Sequence, residues 1–167
     1  MKAVKIGVLS DTHNNEANTL RALDVFRQNQ ITQLIHCGDV TRPPVLELFR
    51  GFEMWLVWGN NDQDLSGLRT AARHADNIHC MGYDAIVEFG PHRIGACHGD
   101  DQDRLAGLTH SGLCEWVFRG HSHVHGLEKI QPRVSLLNPG ALGGRNPEPR
   151  GIAIVDLTHA TAQFLQV

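Results

Sequence analysis

Five short apolar runs in this chain each stop at a residue able to bind a metal ion or move a proton. Residues 4–10 lead to Asp11 and His13, and residues 35–38 lead to Asp39. Residues 54–58 lead to Gly59, Asn60 and Asp62, residues 93–97 to His98, and residues 116–119 to Gly120, His121 and His123. An apolar run with a polar end places its last side chains at the carboxyl edge of a buried strand, where open α/β sheets hold ligands. Asp39 is therefore expected at an exposed strand tip, as the shared ligand of a two-metal site around which the other run ends gather.

Taken singly, these patterns say little. In Asp11-Thr12-His13 the two candidate ligands stand two positions apart, so both point the same way in an extended segment, yet many such triplets are only caps. Gly38-Asp39 is weaker still. Asn60 would offer a neutral oxygen, holding a second cation without adding negative charge against an incoming phosphate. Gly120-His121-Ser122-His123 is the most specific piece, because two imidazoles two residues apart in a tight turn can serve adjacent metals from opposite sides. A lone His-x-His is more often surface or core. The joint occurrence, in order and at strand spacing, carries the reading.

The elements that must position these groups follow from periodicity. Residues 4–10 read as a strand, residues 16–29 as a helix with Ala17, Leu20, Leu23 and Phe26 at helical spacing, and residues 33–37 as a second strand. Strand, helix, strand implies a parallel pair with a right-handed crossover. Pro43-Pro44 opens a short helix with Val45, Leu46, Leu48 and Phe49 on its apolar side. Residues 52–58 read as a strand buried on both faces, with Trp55 and Trp58 in the core, and residues 65–75 as a further helix. Beyond Asn77 the pattern shifts to shorter strands. Residues 83–89 and 93–97 flank a hairpin signal at Gly90-Pro91-His92. A helix is expected over 101–111, and strands over 116–119, 127–130, 134–137, 151–156 and 161–165. The chain reads as one domain, residues 1–167, of two packed sheets with helices outside.

Composition narrows the function classes. Fifteen Lys and Arg against eighteen Asp and Glu give a formal charge of -3, with no like-charged block to wrap duplex nucleic acid. Residues 1–9 are too short and too interrupted by Lys5 for a signal peptide. No run approaches the roughly 18 apolar residues a membrane helix needs. Cys37, Cys80, Cys97 and Cys114 form no Cys-x-x-Cys pair and read as reduced thiols of a cytoplasmic protein, Cys37 and Cys97 as small buried hydrophobes. The surplus lies in the eleven histidines. His36, inside the second strand, reads as half-buried, His125 as solvent-exposed, and His74, His79, His92, His110 and His159 as surface or loop positions. Arg145, in the Gly-rich segment 140–145, reads as a loop-surface residue whose planar fork could also meet an anionic substrate.

The ordered set Asp11/His13, Gly38/Asp39, Gly59/Asn60/Asp62, His98/Gly99 and Gly120/His121/His123 resembles the calcineurin-like metallophosphoesterase family over nearly the whole chain. The short length and Asn138-Pro139-Gly140 resemble its small bacterial and archaeal phosphodiesterase branch. The resemblance implies an α/β fold, a four-layer α/β/β/α sandwich of two mixed sheets. It implies two divalent metal ions, one held by Asp11, His13, Asp39 and His123, the other by Asp39, Asn60, His98 and His121, with Asp39 bridging. Oxygen and nitrogen donors without thiolate suit Mn, Fe, Ni or Zn, manganese being favoured.

The implied activity is hydrolysis of a small phosphate ester, foremost a phosphodiester. Two ions about 3.5 to 4 Å apart would acidify a bridging water and clamp phosphoryl oxygens. Asp39, Asn60, Asn61 and Asp62 are the candidate catalytic group, Asp62 orienting a ligand or capping the next helix. Many relatives carry His where this chain has Asn61, which cannot act as an acid near neutral pH. Esters with good leaving groups are therefore the expected best substrates, with His125 a partial substitute donor. The competing reading is a non-catalytic protein-binding scaffold of the same fold, as in a retromer subunit that this branch also resembles. A scaffold has no reason to keep every ligand. A metallo-β-lactamase-like hydrolase ranks last, since it would want an Asp-His pair after an early His-x-His. Physiological substrate and oligomeric state are not legible.

Overall fold

A computed structural model describes residues 3–145 and 149–167 of the chain. Its first half alternates strand and helix. β1 (Lys5–Leu9), β2 (Gln33–His36), β3 (Glu53–Val57) and β4 (Ile78–Gly82) lie side by side and parallel, linked by α1 (Glu16–Gln28), a 3-10 helix (Pro43–Phe49) and α2 (Leu65–Ala75). The second half supplies β5 (Asp84–Phe89), β6 (His92–Cys97), α3 (Gln102–His110), β7 (Trp116–Phe118), β8 (Gly126–Gln131), β9 (Val134–Asn138), β10 (Gly151–Asp156) and β11 (Thr161–Gln166). β10 returns to pair antiparallel with β1, giving a six-stranded mixed sheet ordered β11-β10-β1-β2-β3-β4. The other sheet, ordered β5-β6-β7-β9-β8, is also mixed.

Three apolar layers separate four layers of backbone, because successive strand residues face opposite ways. Between the sheets lie Ile6 and Val8 of β1, Ile94 and Ala96 of β6, Trp116 and Phe118 of β7, and Ala153 and Val155 of β10. On the outer side of the larger sheet, Met54, Leu56, Ile152 and Ile154 meet Leu23 and Phe26 of α1, Phe49, and Leu68 of α2. On the outer side of the smaller sheet, Val117, Val134 and Leu136 meet Leu105 and Leu108 of α3. The expected four-layer α/β/β/α sandwich of two mixed sheets is the observed fold. Among the described residues no helix is long and apolar enough to cross a membrane.

Four local expectations need correction. The segment 43–49 is a 3-10 helix, as suits a seven-residue piece entered through two prolines. β4 carried no alternating pattern and was not expected. It is an edge strand, and Gly82, at φ 93°, turns the chain from one sheet into the other before β5. Trp55 is only half-buried and stacks on His79, although Met54, Leu56, Val57 and Trp58 are buried as expected. His36 is wholly buried, not half-buried.

Candidate metal centre

The carboxyl ends of β1, β2, β3, β6 and β7 converge, and all seven sequence-predicted ligands meet there. The loop after β1 lies against the loop after β2 through backbone bonds from Asp11 N to Gly38 O (3.0 Å), His13 N to Asp39 O (2.9 Å) and Asn14 N to Val40 O (3.2 Å). The turn after β7 is tied to both sheets. Gly120 N donates to His98 O at 2.9 Å, and His121 N donates to Asp11 Oδ2 at 3.1 Å. Close approach explains two of the glycines: a methyl group on Gly59 would run into the Asp39 carboxylate, and one on Gly120 into Ser10 and Asp11.

Local geometry divides the cluster. Asp11 Oδ1 lies 3.2 Å from His123 Nε2 and 3.7 Å from His13 Nε2, and the two imidazole nitrogens stand 3.3 Å apart. Asp39 Oδ2 lies 3.3 Å from His98 Nε2 and 3.6 Å from His13 Nε2, reaching into both halves. His121 Nδ1 meets Asn60 Oδ1 at 3.1 Å, and its ring packs edge-on against His98. The two imidazoles of the His-x-His turn therefore lie in opposite halves of the cluster. Asp11, His13, Asp39, His121 and His123 all have positive φ, a conformation that non-glycine residues adopt rarely and that clusters at functional sites.

The donor set fits divalent cations. Among the described residues, the buried atoms Asp11 Oδ1 and His98 Nε2 lack any hydrogen-bond partner, which is costly unless a ligand completes them. Two donors each about 2.1 Å from one ion stand roughly 3 to 3.5 Å apart. His13–His123, His123–Asp11 and His98–Asp39 all fall in or near that range, at 3.3, 3.2 and 3.3 Å.

Electrostatics agree. Burial alone would depress His98, yet the Asp39 carboxylate 3.3 Å from Nε2, with Asp11 behind it, pushes it up to about 9. The Asp11 carboxylate likewise raises His13. Asp39 is held below the ordinary carboxylate range: burial works the other way, but His98 and two hydrogen bonds from Asn61 prevail. Carboxylates that so favour a proton on neighbouring imidazoles favour a divalent ion in the same place. Cys37 and Cys97 are buried, the latter pushed up to about 12 chiefly by burial, so no thiolate competes.

Four residues stand differently from expectation. Asp39 is buried, 1% exposed, and not at an exposed tip. The reason is Asp62, whose carboxylate lies behind it and accepts from Asp39 N at 2.9 Å, Gly59 N at 2.8 Å and Thr41 N at 2.7 Å. Asp62 thus binds the loop of Asp39 to the loop of Asn60; the cap of α2 is Asp64, which accepts from Gly67 N. Asn61 is turned back on Asp39, donating Nδ2 to Oδ2 at 2.8 Å and its backbone N to Oδ1 at 2.9 Å. His125 is exposed but packs against Phe164 and does not line the cavity over the cluster.

Other supports carried too little sequence signal to be assigned a place in the site. His36 Nδ1 accepts from Gly38 N at 3.1 Å, so its Nε2–H faces Thr12 Oγ1 at 3.3 Å, linking the loops of Asp11 and Asp39 from below. Burial lowers His36 to about 3. Asn138 donates to Gly120 O at 2.8 Å and Ser122 Oγ at 3.0 Å and accepts from Gly140 N at 2.9 Å, fixing the turn that presents His121 and His123. Arg42, not singled out by sequence, lines the cavity with Arg145. A single arginine in a loop has no periodicity to expose it.

The sequence and the fold have counterparts. A model of the calcineurin-like phosphoesterase superfamily domain matches residues 4–160. A phosphodiesterase of Methanocaldococcus jannaschii is 29% identical over 143 residues, spanning 84% of this chain and 86% of that protein. The solved structure of an archaeal phosphodiesterase superposes with a TM-score of 0.90 at 26% identity, covering 98% of this chain and 100% of that one. Vps29 of Entamoeba histolytica, solved with zinc, shares the fold at a TM-score of 0.66 and 16% identity, with 98% of each chain covered.

Proposed function

The chain belongs to the calcineurin-like phosphoesterase superfamily and hydrolyses phosphate esters; we propose that it acts as a phosphodiesterase dependent on two divalent ions that share Asp39. The observation that carries this reading is the position of Asp39 Oδ2, between His98 Nε2 at 3.3 Å and His13 Nε2 at 3.6 Å. One ion would be held by Asp11, His13, Asp39 and His123, the other by Asp39, Asn60, His98 and His121, manganese being favoured among Mn, Fe, Ni and Zn. When bound, such ions acidify water and offset the charge that builds on the phosphoryl oxygens.

The chain's own residues supply the positioning. Asp62 fixes the backbone on either side of Asp39 and at Gly59, and Asn61 holds both carboxylate oxygens of Asp39 so that the shared ligand cannot rotate. His98 Nδ1 donates to Cys37 O at 2.8 Å, which leaves Nε2 as the face presented to the cluster. With Asn61 committed to Asp39 and no acid in its place, the departing oxygen receives little help. A Brønsted series on aryl phosphodiesters is then expected to show a steep dependence on leaving-group pKa; a flat series would contradict it. The scaffold reading has the likeness of fold in its favour, but the complete polar cluster supports the enzyme.

A small phosphate-ester substrate and a cytoplasmic setting belong to the same proposal. The test is a metal-reconstituted screen of bis(p-nitrophenyl) phosphate, p-nitrophenyl phosphate and a panel of biological diesters, with EDTA controls. Turnover of diesters that EDTA abolishes is the expected result; no turnover with any divalent metal would leave the scaffold.

A further inference from the structure

The cavity above the cluster encloses about 1270 Å3, more than the roughly 300 to 1000 Å3 of an ordinary small-ligand site. A scissile phosphate at the cluster would fill only part of it. The rest has an unusual wall. Among the described residues no Phe, Tyr, Trp or branched aliphatic side chain lines it, and its only rings are the imidazoles of the cluster. Such a wall offers no face on which a nucleobase could stack and no surface for an acyl chain. Thr41, Asn14, Asn15 and Gln63 offer hydrogen bonds in their place.

Two guanidinium groups enter this cavity from different loops, Arg42 just after Asp39 and Arg145 after β9. Arg27, Arg50, Arg93 and Arg104 each meet a carboxylate. Neither Arg42 nor Arg145 has an ion-pair partner among the described residues, and Asp64, which also lines the cavity, is engaged in capping α2. Glu16, in the first turn of α1, is a further carboxylate on this wall, yet it makes no ion pair with either arginine among the described residues, so each presents a fork-shaped donor suited to a phosphate or carboxylate.

We propose that the cavity selects phosphodiesters whose non-scissile arm is a small hydroxylated group ending in a second anion, which Arg42 and Arg145 bind. This rests on the phosphoesterase reading of the cluster. Selectivity then comes from charge and hydrogen bonding, not from the recognition of a base.

The test is calorimetric titration of the manganese-reconstituted protein with glycerol 1,3-bisphosphate, 3-phosphoglycerate, glycerol 1-phosphate and thymidine monophosphate. The bisphosphate is expected to bind about 10- to 100-fold more tightly than glycerol 1-phosphate, and thymidine monophosphate no more tightly than glycerol 1-phosphate. The position of 3-phosphoglycerate between them tells whether a carboxylate serves as the second anion. In the double variant Arg42→Gln/Arg145→Gln the preference should fall close to one, while Arg133→Gln, a change of the same charge elsewhere, leaves it intact. Equal binding of bisphosphate and monophosphate, or a preference that survives the double variant, overturns the proposal. Selective binding by a protein that hydrolyses no phosphodiester would keep this inference and defeat the catalytic reading; diester hydrolysis without the preference would do the reverse.

Discussion

The two halves of the cluster share Asp39 but are built on opposite principles. The half containing Asp11 gathers two carboxylates, Asp11 and Asp39, around His13 and His123, whose side chains are 19% and 17% exposed. The other half sets Asp39 and the buried His98 beside Asn60 and His121, both of which are exposed. Charge concentrates on one side and a neutral amide stands on the other. The first half should therefore hold its ion tightly, and the second should exchange its ion while leaving positive charge uncancelled toward substrate. The supports differ as well. Neutral His36 links the loops of Asp11 and Asp39, whereas the Asp62 carboxylate links the loops of Asp39 and Asn60.

Removing what the halves have in common should have the largest effect. Asp39→Asn is expected to reduce kcat by on the order of a thousandfold and to weaken both ions, with circular dichroism unchanged. A wild-type rate in that variant would break the idea of a shared ligand. Asp62→Asn keeps the shape but loses the charge that accepts three backbone N–H groups. It should cost roughly 10- to 100-fold in activity or metal affinity and about 1 to 3 kcal/mol of stability, both read from kinetics and urea melts of one preparation.

Asn60→Asp tests the asymmetry directly. Adding a carboxylate should tighten the weaker ion by about tenfold and slow turnover, so that stepwise chelation no longer removes one ion before the other. If chelation of the wild type already removes both ions together, the two halves are equivalent and the comparison fails.

The smallest effect on activity concerns His36. Folded, it stays neutral down to about 3, while its ordinary value is 6.5. Between those values the unfolded chain binds the extra proton, so stability falls as pH drops below about 6.5, by up to about 1.4 kcal/mol per unit. Urea melts of the metal-free protein at pH 7 and pH 5 should show the wild type losing about 2 kcal/mol more than His36→Gln. Equal losses would mean that His36 takes up its proton while folded.

The same contrast explains what could be read from sequence. The candidate ligands and their order were legible because each follows an apolar run, and the sheets were legible wherever a short apolar run is bounded by turn residues, as in Gly151–Asp156. What stayed hidden was orientation set by tertiary contacts. Asp62 and Asp64 both suit a helix cap, and only the meeting of two loops gives the first to Asp39 and the second to α2. Asn61 looked like a group facing substrate because nothing in Gly-Asn-Asn-Asp reveals that its amide folds back on Asp39. The burial of Asp39, the positive φ of five candidate ligands and the place of Arg42 likewise arise from loops packing on loops, which leaves no periodic trace.

Whether one carboxylate serves two ions can be observed without turnover, by electron paramagnetic resonance of the protein loaded with two equivalents of manganese(II). A shared Asp39 predicts an exchange-coupled signal that gives way to isolated-ion spectra in Asp39→Asn. A wild-type spectrum made only of uncoupled six-line signals at full loading would contradict it.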